Sequence, residues 1–208
     1  MLYRECINLK IVLIRHTECI ANELGVYGGQ VDYELTKKGK KQLDKVIKYL
    51  YDSKIFEGIE HVYTSPLKRC YLLANKISKT FNLPFNFKSN LIETNFGIFE
   101  GLSNEEIKKN FKDDYEKWCN EYVTFAIPKG ESLLNCSKRV SLVVNEIINK
   151  NKNLIIVAHG GIIKLIILNL LKLDLSHYWN FYCGNGSIIE LSYMDDFAYI
   201  KNIINFNN

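Results

Sequence analysis

Short, almost continuously apolar runs alternate with amphipathic stretches along this chain. The runs at residues 9–14 and 153–158 have the pattern of strands that are covered on both faces of a sheet. Further strand-like segments are residues 61–64, 84–87, 187–192 and 197–203. We therefore predict six strands, with those at 9–14 and 153–158 near the centre of the sheet.

Apolar residues recur at helical spacing between these strands. One such stripe, at residues 43–50, follows Thr36, and another follows Ser65 and Pro66, a pair typical of a helix cap and a first-turn proline. Two more helices are predicted at residues 133–147 and after the Gly160-Gly161 pair. This alternation predicts an α/β fold: a three-layer sandwich with a mostly parallel central sheet and helices on both faces.

The segment at residues 102–129 interrupts the alternation. Ser103 and Glu106 have the spacing of a capping box, so a short helix should start there, and residues 114–121 are compatible with another. The chain has 208 residues and no linker rich in proline or glycine. We therefore predict a single domain over residues 1–208 with a small helical lid inserted at about 102–129.

Composition narrows the class of protein. A hydrophobic fraction of 47% argues against disorder, and the net charge of +4 comes from scattered lysines, which does not favour nucleic acid as a partner. The six cysteines form no C-x-x-C pair and no signal peptide is visible, so we expect reduced thiols in a cytoplasmic protein. Residues 154–171 are strongly apolar, but His159 and Lys164 make a strand followed by a buried helix a better reading than a membrane span.

Polar side chains follow three predicted strands at their carboxyl ends. Arg15 and His16 follow the first strand, Arg69 lies shortly after the strand at 61–64, and His159 follows the strand at 153–158. Ligands of open α/β sheets collect beyond these ends, so we expect the four side chains to converge. Two guanidinium groups neutralise a phosphate dianion while a neutral imidazole attacks phosphorus, which predicts a phosphate site without metal.

Each of these residues alone has a commoner structural role. A histidine at a strand end is more often hydrogen-bonded in the core than nucleophilic, and an arginine such as Arg69 is more often a solvated surface charge. Their order along the chain, together with the flanking residues, is what favours a catalytic function.

The segment RHTECIAN, from Arg15 to Asn22, resembles the signature of the histidine phosphatase superfamily, which includes cofactor-dependent phosphoglycerate mutases. Further segments follow in the order of that family: GGQVDYELTKKG (28–39), YTSPLKRC (63–70), LIETNFGIFEG (91–101), PKGES (128–132) and VAHGG (157–161). Together they cover most of the chain. The family usually has glycine after the catalytic histidine, whereas this chain has Thr17, which puts the pocket geometry in question.

The resemblance implies a role for each matching residue. His16 would be the nucleophile that becomes phosphohistidine, and Glu93 the acid that protonates the leaving group, which requires a raised pKa. Glu18 would at most orient the pocket. The phosphate would be bound by Arg15, Asn22, Arg69, His159 and Gly160. No metal and no cofactor are implied, because positioning and charge neutralisation supply most of what phosphoryl transfer needs.

The resemblance also bears on the reaction and the substrate. The predicted lid is shorter than the insertions of phosphoglycerate mutases in this superfamily, which favours hydrolysis. The segments NFGIFEG, YEKWCNEY (115–122) and HYWNF (177–181) resemble α-ribazole phosphatases. We therefore expect a phosphomonoesterase for a small phosphorylated metabolite, with α-ribazole 5′-phosphate of cobalamin biosynthesis as the specific substrate. Trp118, Tyr122 and Phe125 could stack on a nucleoside or merely pack the lid.

Other functions stay open at this point. Within the superfamily they are a broad-specificity small-molecule phosphatase and a phosphoglycerate mutase. Outside it they are an inactive phosphate-binding module and a metallohydrolase, although the chain has only four histidines and no H-x-H or D-x-D cluster. A homodimer is a possible assembly.

Overall fold

Six strands form one sheet in the order β3-β2-β4-β1-β5-β6. The computed structural model describes residues 8–206. The strands are β1 (Asn8–Arg15), β2 (His61–Thr64), β3 (Phe85–Phe87), β4 (Leu154–Ala158), β5 (Ile188–Met194) and β6 (Phe197–Ile204). The predicted central strands, β1 and β4, are paired at the middle of the sheet.

The sheet is mixed, with one reversed strand. Strands β3, β2, β4 and β1 are mutually parallel, β5 runs antiparallel to β1, and β6 runs antiparallel to β5. Five strands therefore point the same way. The predicted α/β fold with a mostly parallel sheet is confirmed.

Helices cover both faces of the sheet, as predicted. They are α1 (Ile20–Leu24), α2 (Lys37–Asp52), α3 (Lys68–Phe81), α4 (Asn104–Asn110), α5 (Lys112–Asn120), α6 (Leu133–Ile148) and α7 (Gly160–Leu170), with 3₁₀ turns at Ser89–Leu91, Gly97–Phe99 and Leu175–Asn180. Side chains alternate along β1: Val12 and Ile14 pack with α2 and α3, whereas Ile11 and Leu13 pack with α6 and α7. Buried on both sides, β1 holds the polar residues that follow it in a fixed position.

Two helix starts differ from the prediction. The helix after β2 begins at Lys68 with Leu67 as its N-cap, so the assignment of Ser65 as the cap was wrong. The Ser65 hydroxyl is instead hydrogen-bonded to His159, a residue distant in sequence. Helix α7 begins at Gly160 itself rather than after the glycine pair.

The segment 102–129, which we call the α4–α5 segment, carries two short helices. The predicted capping box is present: Ser103 Oγ accepts from the N–H of Glu106, and the carboxylate of Glu106 accepts from the N–H of Ser103. Phe99, Ile107 and Ile127 form a separate small core beneath it. Because this cluster is distinct from the two cores on the sheet, we keep the prediction that the segment acts as a lid.

Other predictions concern membrane spans and cysteines. Within residues 8–206, no helix has both the length and the apolar character needed to span a bilayer. The five cysteines of this range are unpaired. Cys6, and the first residues on which the signal-peptide expectation rests, lie outside the described residues.

Candidate active site

The register of the parallel strands brings the predicted residues to one edge of the sheet. Arg15 at the end of β1 pairs with Ala158 of β4, and Thr64 of β2 pairs with Val157. The imidazole rings of the residues that follow β1 and β4, His16 and His159, have centroids 5.2 Å apart and an interplanar angle of 63°.

His16 is held with one ring nitrogen available for attack. Its Nδ1 lies 2.8 Å from the carbonyl oxygen of Thr17, which only accepts hydrogen bonds, so Nδ1 carries the proton and Nε2 has the lone pair. Burial lowers the pKa of His16 well below its ordinary value, and the charges of Arg15 and Arg69 lower it further. The ring is therefore neutral near pH 7, as a nucleophile must be.

Arg69 is anchored on three sides. Its guanidinium donates to the carbonyls of Val31 at 2.8 Å and Gly29 at 2.7 Å, and its Nε donates to Nδ1 of His159 at 3.2 Å. The side chain is 2% exposed. A planar fork with several donors suits this arrangement, so the charge beside His16 has a fixed position.

His159 is also fixed by hydrogen bonds at both ring nitrogens. Because Nδ1 accepts from Arg69, Nε2 carries the proton and donates to Ser65 Oγ at 2.8 Å. Burial, followed by the charge of Arg69, lowers the pKa of His159 well below its ordinary value. Both ring nitrogens are therefore hydrogen-bonded to protein groups. The predicted contact between His159 and phosphate is not tested by this arrangement and stays a prediction.

Arg15 has a donor that no protein group uses. Its Nη1 donates to the carbonyl of Cys183 at 2.6 Å, whereas its buried Nε has no hydrogen-bond partner in the described part of the chain. Gly160 allows this position, because a Cβ on that residue would lie 3.3 Å from Nε. A buried unpaired donor costs free energy unless a ligand satisfies it, which is consistent with an oxyanion site.

Asn22 lies in the short helix α1, beside Asn185. Its Oδ1 accepts from the N–H of Cys19 at 3.1 Å and from Nδ2 of Asn185 at 3.0 Å. These bonds fix the side-chain amide, and within residues 8–206 its Nδ2 has no hydrogen-bond partner, so it can donate to a ligand. The predicted contact of Asn22 with phosphate would use that group.

Glu93 has the environment that a general acid requires. Its Oε1 accepts from the N–H of Thr94 at 2.9 Å. Burial raises the pKa of Glu93, and this effect exceeds the opposing ones of the Thr94 hydrogen bond and of the Arg69 and Arg15 charges. The Glu93 carbonyl accepts from Arg139 at 3.0 Å, which holds the backbone in place.

The side chains of Thr17 and Glu18 point away from the cavity. Thr17 is fully buried, and its methyl lies close to Gly186, so the residue that replaces the usual glycine does not crowd the phosphate position. The carboxylate of Glu18 accepts from the hydroxyl of Thr36 at 2.7 Å and pairs with Lys38 at 3.0 Å. Glu18 thus joins the loop after β1 to the start of α2.

Two adjoining cavities open at this edge of the sheet. The first has about 500 Å³ of open space and is lined by Arg15, His16, Cys19, Ala21, Asn22, Val26, Tyr27, Gly28, Gly29, Arg69, Glu93 and Phe96. The second, of about 470 Å³, is mainly aromatic and is lined by Tyr27, Thr94, Phe96, Trp118, Tyr122, Ile127, Glu131, Leu133, Tyr178 and Trp179. Tyr27 and Phe96 belong to both, so we name them the phosphate cavity and the aromatic cavity.

Trp118, Tyr122 and Phe125 differ in whether they line the aromatic cavity or only pack the α4–α5 segment. Trp118 packs edge-to-face against Tyr27 and Phe99, yet it also lines the aromatic cavity, as does Tyr122. Phe125 belongs to the small core of the α4–α5 segment. Packing and ligand contact are therefore compatible for Trp118.

Several residues of the site were not predicted from the sequence. Asn185 reaches both Asn22 and the carbonyl of His16, and Arg139 forms an ion pair with Glu131 at 2.7 Å beneath Glu93. The G-N-G turn around Asn185 is the one local signal that marked its region. Within residues 8–206, no group of three or more His, Cys, Asp or Glu is placed to hold a metal ion.

The sequence profile of the histidine phosphatase superfamily (branch 1) matches residues 11–205. The chain belongs to this superfamily. Phosphoserine phosphatase 1 of Hydrogenobacter thermophilus is 33% identical over 181 residues, which cover 86% of this chain and 84% of that protein. The adenosylcobalamin/α-ribazole phosphatase of Salmonella typhimurium is 26% identical over 195 residues, covering 93% and 95% of the two chains.

A solved structure of a phosphatase is also similar to this chain. The α-ribazole phosphatase from Shigella flexneri superposes with a TM-score of 0.85 at 26% identity, covering 96% of this chain and all of that one. This histidine phosphatase is therefore a phosphoric monoester hydrolase, as its sequence predicted. The two kinds of relative differ in their named substrates, so membership of the superfamily leaves the leaving group open.

Proposed function

We propose that this histidine phosphatase hydrolyses α-ribazole 5′-phosphate through a phosphohistidine on Nε2 of His16. The observation that carries the proposal is the junction of the two cavities. The phosphate cavity is lined by the neutral His16, two arginines and Glu93, and it shares Tyr27 and Phe96 with the adjoining aromatic cavity. A phosphate ester whose leaving alcohol carries an aromatic base fits both.

The site residues support two half-reactions. In the first, Nε2 of His16 attacks phosphorus, the ester P–O bond breaks, and protonated Glu93 gives its proton to the departing oxygen. In the second, the Glu93 carboxylate takes a proton from a water molecule that attacks phosphorus. The P–N bond breaks, inorganic phosphate leaves and neutral His16 is restored.

The lining of the aromatic cavity favours a nucleoside-like leaving group. Six aromatic side chains line it: Tyr27, Phe96, Trp118, Tyr122, Tyr178 and Trp179. Aromatic faces such as those of Trp118 and Trp179 bind flat heterocycles by stacking. A serine leaving group has no aromatic ring that could stack on these faces.

Phosphoserine is the second candidate substrate. It is favoured by the 33% identity to a phosphoserine phosphatase, which is higher than the identity to the α-ribazole phosphatases. Glu131 lines the aromatic cavity and would face an ammonium group, although both its oxygens already accept from Arg139.

A substrate panel together with a trapping experiment tests the proposal. We expect kcat/KM to be highest for α-ribazole 5′-phosphate among that compound, phosphoserine, 3-phosphoglycerate, sugar phosphates and nucleotides. Acid quenching should trap an acid-labile phosphoenzyme in the wild type and none in His16→Ala. His61→Ala, which removes a histidine from β2 at the other end of the sheet, is the matched control.

Different results separate the parts of the proposal. Preference for phosphoserine would overturn the substrate and keep the mechanism. Near-normal turnover by His16→Ala would overturn the nucleophile. Loss of turnover in chelator would revive a metallohydrolase, and a fully inactive wild type that binds phosphate would indicate a binding module.

A further inference from the structure

Tyr178 is a buried residue whose hydroxyl has no hydrogen-bond partner in the described part of the chain. The residue lies in the 3₁₀ turn Leu175–Asn180 and is 8% exposed. Within residues 8–206, its hydroxyl makes no hydrogen bond, although the hydroxyl of Tyr122 nearby donates to the carbonyl of Leu175. The oxygen of this hydroxyl is not fully buried, and Tyr178 lines the aromatic cavity, so the hydroxyl is free to donate to a group that binds there.

The hydroxyl converges with Glu93 on one point beside α7. A Cβ on Gly161 would lie 2.8 Å from Oε1 of Glu93 and 2.9 Å from the oxygen of Tyr178. Both oxygens therefore pack over the bare Cα of Gly161, and a side chain there would displace them. Glycine is needed at this position because of this close approach.

The two oxygens lie on either side of the cavity junction. Glu93 lines the phosphate cavity, and Tyr178 lines the aromatic cavity. A phosphomonoester that occupies both cavities has its bridging oxygen at this junction. That oxygen receives the proton when the ester bond breaks.

The ring of Tyr178 is held in place. It packs edge-to-face against Trp179 with centroids 4.9 Å apart, and Nζ of Lys164 lies 4.9 Å from its centroid. A fixed donor loses little entropy when it binds a developing negative charge, which makes it effective in a transition state.

We propose that the hydroxyl of Tyr178 donates a hydrogen bond to the oxygen of the departing alcohol, beside Glu93. This inference rests on the proposed phosphohistidine mechanism. The P–Nε2 bond forms as the ester P–O bond breaks, Glu93 delivers its proton to the alcohol oxygen, and Tyr178 keeps its own. Burial and the nearby charge of Glu93 raise the pKa of Tyr178 well above its ordinary value, so the hydroxyl remains a donor.

The test is Tyr178→Phe, which removes one oxygen and keeps the ring. We expect kcat/KM for alkyl phosphates to fall by roughly 10- to 100-fold, as for a lost hydrogen bond to a developing charge. For 4-nitrophenyl phosphate, whose leaving group delocalises its charge, the loss should be less than about threefold. A series of aryl phosphates should give a steeper dependence on leaving-group pKa than in the wild type.

Tyr122→Phe is the matched control, because it removes a second tyrosine hydroxyl from the same cavity. It should leave the leaving-group dependence unchanged, and both variants should unfold within a few degrees of the wild type. Equal losses for alkyl and aryl phosphates, or a Tyr178→Phe that behaves like Tyr122→Phe, would overturn the role of Tyr178. Formation of phosphohistidine in the same preparations keeps that failure distinct from failure of the proposed mechanism.

Discussion

Nε of Arg69 donates a hydrogen bond to Nδ1 of His159 at 3.2 Å, which fixes both the position of the guanidinium and the tautomer of the imidazole. The same guanidinium donates to two backbone carbonyls in the loop before Asp32. Arg69 therefore combines a structural and an electrostatic role. Its charge reaches the phosphate cavity while its donors join α3 to that loop.

Replacing Arg69 with lysine keeps the positive charge but removes most of the hydrogen bonds, so this variant measures what the hydrogen bonds contribute. The ammonium of Arg69→Lys cannot bond both carbonyls and His159 in the same plane, so we expect kcat/KM to fall by about 100-fold or more and stability by about 1–3 kcal/mol. Urea unfolding and steady-state kinetics measure the two effects. Lys68→Met, an exposed neighbour paired with Glu34, should change stability by less than about 0.5 kcal/mol. Full activity in Arg69→Lys would contradict a fork-specific role.

The pH dependence of kcat/KM should be bell-shaped. The pKa of His16 is lowered, so the nucleophile stays neutral until the pH falls well below the ordinary histidine value. Activity is lost as the pH falls through this lowered pKa. The raised pKa of Glu93 keeps the acid protonated to higher pH, and activity toward alkyl phosphates is lost as pH rises through it.

Glu93→Gln identifies the falling limb of that profile. The amide cannot donate an acidic proton, so the variant should be slow with alkyl phosphates and show no falling limb that reflects residue 93. Rates with 4-nitrophenyl phosphate should be much less affected. A falling limb that survives unchanged in Glu93→Gln would assign it to another group.

Thr17→Val should stabilise the protein without changing its activity. The hydroxyl of Thr17 is buried and, in the part of the chain that the structure describes, has no hydrogen-bond partner. Replacing it with a methyl of similar size should raise the free energy of unfolding by about 1 kcal/mol. Thr36→Val is the control with the opposite sign, because it removes the N-cap of α2 and should cost about 1–2 kcal/mol. Reduced kcat in Thr17→Val would place the hydroxyl in the reaction.

Trp179→Ala tests the aromatic cavity with little risk to folding, since the residue is 60% exposed. Loss of one stacking wall should raise KM for α-ribazole 5′-phosphate by roughly tenfold, the equivalent of about 1.4 kcal/mol, and change KM for 3-phosphoglycerate much less. Phe197→Ala, an equally exposed aromatic on β6, should change neither value. An equal effect on both substrates would remove the stacking role.

The sequence was most informative where a residue's position follows from a strand. Apolar runs located β1 and β4, and the common edge of parallel strands then placed His16 and His159 together. The sequence also placed Arg69 near these histidines, because α3 begins shortly after β2, the strand next to β4. These relationships depend on secondary structure, which local patterns encode.

Contacts that depend on side-chain direction or on loops were not predictable in this way. Ser65 has the local pattern of a helix cap, yet its partner is His159, 94 positions away. From the sequence alone, the side chain of Thr17 could face the phosphate or the core. The structure shows that it faces the core, where its methyl packs near Gly186. Tyr178 belongs to an aromatic segment whose residues look alike until the turn that orients them is known.

The hydrogen bond from Arg15 to the carbonyl of Cys183, and that from Asn185 to the carbonyl of His16, join positions 168 and 169 residues apart. A ribosome that has finished β1, β2 and β4 has therefore not yet made the residues that anchor Arg15 and Asn22. Until Asn185 has emerged, the nascent polypeptide should hydrolyse phosphate esters much more slowly than the whole chain. Proteolysis between His16 and Cys183 should likewise lower activity strongly when the two fragments are then separated.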